Sequence, residues 1–234
     1  MKPLWIGNRK ELPEYALELS RYRHGQMPPG IMGIPDATRM SKSVKEWVYF
    51  DHSYFKRGWQ LGNFRAVRNG LHLTSPIIRP DDRLKKWDVQ IKPWRKSGSE
   101  IIVIPPTEAQ TAYYDCGDWM PKTLAKLKQV TDRRVIIKAK DDKRLLLFYL
   151  ETAHALVTFA SVAGVEAAIA GVPVFATENC PAWQVSAGSL DNIEKPHYAE
   201  NRHQWACGLA YASWNWGEIR NVRWHDYRYQ TWSE

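Results

Sequence analysis

Between residues 101 and 176, short apolar runs alternate with helix-length stretches, and no other feature of the chain constrains its fold as much. Residues 101–104 read as a buried strand closed by Pro105-Pro106, since proline cannot donate to a ladder. A helix is predicted over 119–130, opening near Met120-Pro121, where proline suits a first turn. Residues 134–138 read as the next strand, 145–152 as helical and 155–159 as strand. Residues 161–171 form a small-residue helix ending at Gly171, followed by strand 172–176, and a last helix is predicted over 201–212. Strands alternating with helices of this length imply βαβ units and a mainly parallel sheet. The expected class is α/β.

The first hundred residues lack this rhythm. Residues 25–35, rich in Gly, Pro and Met, suit a loop. A short strand is expected over 47–50 and a weaker one within 64–73, where Asn69-Gly70 can turn tightly. Residues 75–99 read as irregular.

Charge divides the chain in the same place. The net charge is +8, and residues 1–100 carry 19 Lys and Arg against 10 Asp and Glu, so the whole excess lies there. It is densest over 56–96, where eleven basic residues meet three acidic ones, interleaved with Trp59, Phe64, Trp87 and Trp94. Such a patch can track a phosphate backbone, although a charge run can also be only a solvated face. Arg57, Trp59, Arg65, Arg68, Asn69, Lys85, Trp94 and Arg95 are the candidate contacts to a polyanion. The twelve tryptophans can build cores, stack on sugars or stack on bases.

Several classes are excluded or disfavoured. With 44% hydrophobic and 25% charged residues the chain is not wholesale disordered. No apolar run approaches the ~20 residues of a membrane helix, and the opening Met1-Lys2-Pro3-Leu4-Trp5 does not read as a signal peptide. Cys116, Cys180 and Cys207 are odd in number and lack a CxxC, which points to a reducing compartment. There is no DxD, no GxxxxGK[ST], and no GxGxxG after a strand. The histidines lack metal-ligand spacing. No metal or other cofactor is expected.

Residues 155–175 carry the most specific chemistry. A strand delivers the chain to Ser161, whose hydroxyl and neighbouring N–H groups start a helix, and a helix start favours an anion. Gly164 lies in that first turn. Glu166 follows amid Ala and Val, where a carboxylate needs a partner such as a ribose diol. Lys138 and Lys140 end the preceding strand, at the edge where open α/β sheets bind ligands. Arg133 and Arg134 stand near them. Asp51-His52 ends an apolar strand, and either side chain can take a proton from an acceptor hydroxyl.

The 155–175 segment resembles the nucleotide-sugar lobe of GT-B glycosyltransferases, notably the capsule and lipopolysaccharide types, strongly over 150–180 and more weakly to Ile219. The chain also resembles glycosyltransferase-like proteins of tailed phages, at Tyr49-Phe50-Asp51-His52, Arg68-Asn69-Gly70, Ile104-Pro105-Pro106, Thr131-Asp132-Arg133 and Asn201-Arg202. Val162-Ala163 depart from the pattern, which often has a second Ser or Asn there.

The resemblance implies a compact GT-B-like fold. Its parts would be a reduced, irregular, basic acceptor lobe over 1–98, a Rossmann-like donor lobe over 99–220, and a tail over 221–234 packing back on the first lobe. It implies a metal-independent transferase, inverting or retaining. The donor would be a nucleotide-diphosphate sugar, such as a UDP-sugar, held by Arg134, Lys138, Lys140, Ser161, Gly164 and Glu166. Asp51 and His52 would be catalytic.

With the basic lobe, the phage likeness favours double-stranded DNA bearing hydroxymethylated pyrimidines as acceptor, in the cytoplasm of an infected bacterial host. The target base would be flipped out of the duplex. The alternatives are an anionic surface glycan or lipid-linked sugar as acceptor, or a non-catalytic nucleotide- or nucleic-acid-binding module.

Overall fold

The computed structural model describes residues 30–32, 34, 37, 38, 42, 47–57 and 61–220. In chain order its elements begin with β1 (Gly30–Met32), β2 (Val48–His52), β3 (Asn63–Arg68), α1 (Asp82–Lys86) and β4 (Glu100–Ile104). There follow α2 (Glu108–Tyr114), α3 (Trp119–Val130), β5 (Arg134–Ile137), α4 (Leu146–Leu150) and β6 (Ala153–Thr158). The chain continues with α5 (Ala163–Ile169), β7 (Val174–Ala176), α6 (Arg202–Tyr211), β8 (Ser213–Asn215) and α7 (Trp216–Arg220). Two compact units result. One contains the described residues of Met1–Leu73, Arg79–Trp87 and Cys207–Glu234, the other Thr74–Ile78 and Asp88–Ala206.

The second unit is built on a parallel sheet of order β5-β4-β6-β7. β4 and β6 lie at its centre and are buried on both faces, which is why their sequences are unbroken apolar runs. Ile101, Val103, Ala155 and Val157 face Leu127 of α3, with Phe175, Ala187 and Ile193 completing that core. On the other face, Gly164 of α5 lies close to Val174. This is a Rossmann-like α/β arrangement. From β4 the chain runs outward to β5 and then back past β4 to β6, so the switch point lies between β4 and β6.

Gly171 shows how tightly α5 is closed. Its φ is +82°, and an added Cβ would stand 2.1 Å from the carbonyl oxygen of Pro93. Two bonds fix that approach, Lys92 N–H to Ile169 O at 2.9 Å and Arg95 N–H to Gly171 O at 2.7 Å. Gly171→Ala is therefore expected to cost about 2–4 kcal/mol, from left-handed backbone plus overpacking. Gly188, also at positive φ but with nothing within 4 Å of an added Cβ, should cost only about 1–2 kcal/mol as alanine. Equal denaturation midpoints for the two variants would contradict the Pro93 clash.

The first unit holds a mixed sheet of order β1-β2-β3-β8. β1 runs parallel to β2, whereas β2–β3 and β3–β8 are antiparallel. Its organising side chain is Arg83, buried on α1. The guanidinium bonds to the carbonyls of Ala210 and Ser213 and to Glu218 at 3.0 Å, and it lies 4.2 Å from the Trp214 ring.

That clamp explains why the expected division at 98/99 and 220/221 differs from the observed units. Arg79–Trp87 and the described residues from Cys207 to Arg220 belong with the first unit, because Arg83 ties them together. The expected packing of 221–234 lies outside the described residues. Two more readings are corrected. Residues 25–35 include β1, and 75–99 include α1; each element is too short to show a period.

Candidate functional site

At the carboxyl edge of the parallel sheet the two central strands are stitched together. Pro105-Pro106 stops β4, and Thr107 then caps α2 in a reciprocal box with Gln110. The Thr158 hydroxyl at the end of β6 donates to Ile104 O at 3.1 Å. Gln110 Nε2 donates to Ala160 O at 3.4 Å, and Ser161 N–H to Thr158 Oγ1 at 3.4 Å. The loops after β4 and β6 thus meet at the switch point, with Ser161 half-buried between them. An aromatic wall stands beside it. Tyr114 and Trp119 pack edge-on to Phe159, at 5.4 Å and 5.9 Å between ring centroids, and Tyr113 abuts Tyr114 at 4.7 Å. The sequence reading missed this wall because it missed α2, although Thr107 and Gln110 spell a capping box.

The start of α5 differs from the expectation of open amides. Ala163 N–H donates to Ser161 Oγ at 3.1 Å and Gly164 N–H to Ser161 O at 3.0 Å. Val165 and Glu166 N–H both donate to Val162 O. An anion here would have to share these donors. Gly164 is tightly packed: an added Cβ would meet Cys180 Sγ at 3.1 Å and Ala182 Cβ at 3.2 Å. Burial pushes the Cys180 thiol up to about 12, so it stays protonated and inert. Glu166 lies in the first turn and is half-buried.

The basic residues near β5 separate. Lys138 follows the strand at the carboxyl edge, where its Nζ donates to Asp142 O at 3.0 Å and lies 5.6 Å from the Tyr149 ring. Lys140 is exposed in the same loop. Arg134 is at the opposite, amino end, opposite Glu100 in register and ion-paired with it at 3.2 Å. It cannot join the other two at one phosphate. Arg133 pairs with Glu194 at 2.9 Å and donates to Gly98 O.

In the first unit, antiparallel register sets Asp51 opposite Arg65. Arg65 is buried and reaches three acceptors: Asp51 Oδ2 at 2.8 Å, His52 O at 2.6 Å and Leu71 O at 3.1 Å. Its guanidinium lies 5.5 Å from the Tyr49 ring and 5.6 Å from that of Tyr54. Asp51 also accepts from the Tyr49 hydroxyl and, at Oδ1, from His52 N–H at 2.6 Å. Burial alone pushes the Asp51 carboxyl up, but Arg65, His52 and the Tyr49 hydroxyl outweigh it, and the pKa falls to about 2.

Two expectations change accordingly. A carboxylate with so low a pKa is a weak base near neutrality. Arg65 is an internal clamp and not a phosphate contact. What the pair achieves is to grip the His52 main chain at both its N–H and its C=O, fixing where the half-buried imidazole starts.

Most other candidate polyanion contacts are likewise engaged inside the chain. Asn69, at φ +53°, accepts from Trp47 N–H and donates its own N–H to Trp47 O, closing the end of β3. Trp94 donates to Ala199 O at 3.0 Å, and Arg202 lies 3.8 Å from its ring, so that face is covered and unavailable to a base. Arg95 caps α4 through the carbonyls of Leu150, Glu151 and Ala153. Lys85 is exposed but ion-paired with Asp81 at 2.8 Å. Arg57 is exposed and Arg68 half-buried. Trp59 lies outside the described residues. Trp47, Trp87, Trp205 and Trp214 are core residues.

Among the described residues, no three His, Cys, Asp or Glu side chains are grouped so as to hold a metal ion. Nor does any helix among them have the length and apolarity to cross a membrane. The class of protein these observations define is α/β, with one parallel Rossmann-like sheet and one mixed sheet. No protein-family model matches the chain, and no curated protein does. Among solved structures it is similar to KpsC, a beta Kdo 2,7 transferase from Thermosulfurimonas dismutans, with a TM-score of 0.42 and 14% identity. That match covers 85% of this chain and 81% of the other.

Proposed function

We propose that the chain is a GT-B-like glycosyltransferase that binds a nucleotide-diphosphate sugar at the carboxyl edge of the parallel sheet. The observation that carries this reading is the switch point between β4 and β6, where Ser161 and the first turn of α5 stand at its mouth. The likeness of residues 155–175 to nucleotide-sugar lobes points to the same edge. In this reading the half-buried Glu166 accepts from the ribose diol. Ser161 faces the diphosphate, while Tyr114 and Trp119 offer aromatic surface beside it.

The reaction breaks the bond between the sugar's anomeric carbon and the diphosphate and forms one to an acceptor hydroxyl. The acceptor proton passes to a base, and the nucleoside diphosphate leaves. His52 is the base in this reading. Asp51 and Arg65 position it. No metal is assigned a role.

An anionic glycan suits the acceptor side better than duplex DNA bearing hydroxymethylated pyrimidines. Of the eight expected DNA contacts, Arg65, Asn69, Trp94 and Arg95 already have partners within the chain. The basic excess of residues 1–100 still favours an acceptor of negative charge.

Calorimetric titration with UDP tests the donor site. Glu166→Ala should weaken binding by about 1.5–3 kcal/mol, the range for hydrogen bonds to a charged group, with the fold retained. Unchanged affinity in a folded variant would remove Glu166 from the site.

A further inference from the structure

Beyond the catalytic reading, and independent of it, the segment from Ile137 to Phe148 has the make-up of a surface that docks on an anionic bilayer. Ile137 at the end of edge strand β5 is 49% exposed, and Leu145, Leu147 and Phe148 are 76%, 59% and 57% exposed. Lys140, Lys143 and Arg144 are exposed among them, with Asp141 the one exposed carboxylate of the segment. The segment folds as one piece. Lys138 bonds to Asp142 O and lies over the Tyr149 ring, Phe148 N–H bonds to Leu145 O, and Arg144 lies 5.6 Å from the Phe148 ring. Tyr149 and Leu150 point into the core, which turns Leu147 and Phe148 outward.

We propose that this face seats on the surface of a membrane rich in anionic lipid. Leu145, Leu147 and Phe148 would enter the headgroup–acyl boundary, and Lys140, Lys143 and Arg144 would meet lipid phosphates. Large apolar side chains alternating with cations are what an interfacial segment requires. The other occupants fit less well. A second copy seated on this face would bring six cations into one interface, with only the exposed Asp141 of each copy in the segment to offset them. A nucleic acid backbone would satisfy the cations and leave Leu145, Leu147 and Phe148 in water.

The test is co-sedimentation of the full chain with vesicles of phosphatidylcholine alone and of phosphatidylcholine with about a third phosphatidylglycerol. Partitioning should be at least about tenfold stronger on the anionic vesicles at low salt and should weaken as salt is added. Leu147→Glu with Phe148→Glu should abolish it, and Lys140→Gln, Lys143→Gln and Arg144→Gln together should lower it by about tenfold or more. All these positions are exposed, so circular dichroism should be unchanged. The milder Leu145→Ser, Leu147→Ser pair guards against a folding artefact. Equal binding to both vesicle types, binding that survives both sets of substitutions, or no binding would overturn the proposal. So would dimerisation in sedimentation velocity that the Leu147→Glu, Phe148→Glu variant disperses, without vesicle binding; that outcome assigns the face to a second copy.

Discussion

Arg65→Met should destabilise the first unit by about 3–5 kcal/mol, the cost of removing one partner from a buried ion pair. Methionine keeps much of the volume, so the loss is electrostatic. Asp51 would be left without its guanidinium, and the carbonyls of His52 and Leu71 would lose their donors. The double variant Asp51→Asn, Arg65→Met should be less damaging than Arg65→Met alone, because no charge remains to be compensated.

The pH dependence reports on the same pair. In the native chain Asp51 titrates at about 2, against 3.8 for the unperturbed group. A depressed carboxylate contributes stability that is complete above its unfolded pKa and is lost as pH falls through the folded one. The contribution is about 1–2 kcal/mol, discounted because water reaches part of the side chain, and its loss should fall between about pH 4 and pH 2. In Arg65→Met the strongest influence holding that pKa down is removed. Burial is then opposed only by His52 and Tyr49, so the depression shrinks and acid should narrow the gap between variant and native chain. A gap constant with pH would mean that Arg65 stabilises the fold by packing alone.

His52→Ala should lower turnover by about 10²–10⁴-fold, the usual contribution of a general base, while nucleotide affinity stays nearly unchanged. Its backbone partners do not depend on the imidazole, so β2 and β3 should retain their register. Asp51→Asn should also lower turnover, but by loosening His52, and it should lower stability at the same time. Loss of stability and turnover together in Asp51→Asn, with turnover alone lost in His52→Ala, separates positioning from base catalysis. If Asp51→Asn abolished turnover in a fully stable protein while His52→Ala did not, the base would be Asp51.

The second unit was largely legible from sequence because burial on both faces writes itself into the chain as unbroken apolar runs. β4, β5 and β6 appear within one or two residues of their expected places, and α3 spans 119–130 as its pattern requires. α2 was equally legible through Thr107 and Gln110 but was hidden behind Pro105-Pro106.

The candidate site was legible in kind but not in its partnerships. Arg65 and Asp51 are fourteen residues apart, and only antiparallel register brings them opposite each other. Trp94 and Arg202 lie in different halves of the chain, so nothing local to Trp94 foretells a guanidinium over its ring. A charge count measures how many cations a stretch contains, whereas binding depends on how many are left after the fold has used its share. Here Arg65, Arg83 and Arg95 are consumed internally. Arg134 was misplaced for a simpler reason: which end of a strand faces a site depends on sheet direction, and a four-residue strand spans about 10 Å from end to end.

The most direct measurement incubates the full chain with a panel of uridine, guanosine and deoxythymidine diphosphate sugars and an anionic oligosaccharide, then weighs the products. The expected result is an acceptor heavier by one sugar, one nucleoside diphosphate released per transfer, and neither product from His52→Ala at the same protein concentration and time. A folded protein that binds none of these nucleotides and releases none from any donor would contradict glycosyl transfer and leave a chain with a Rossmann-like sheet but no donor site.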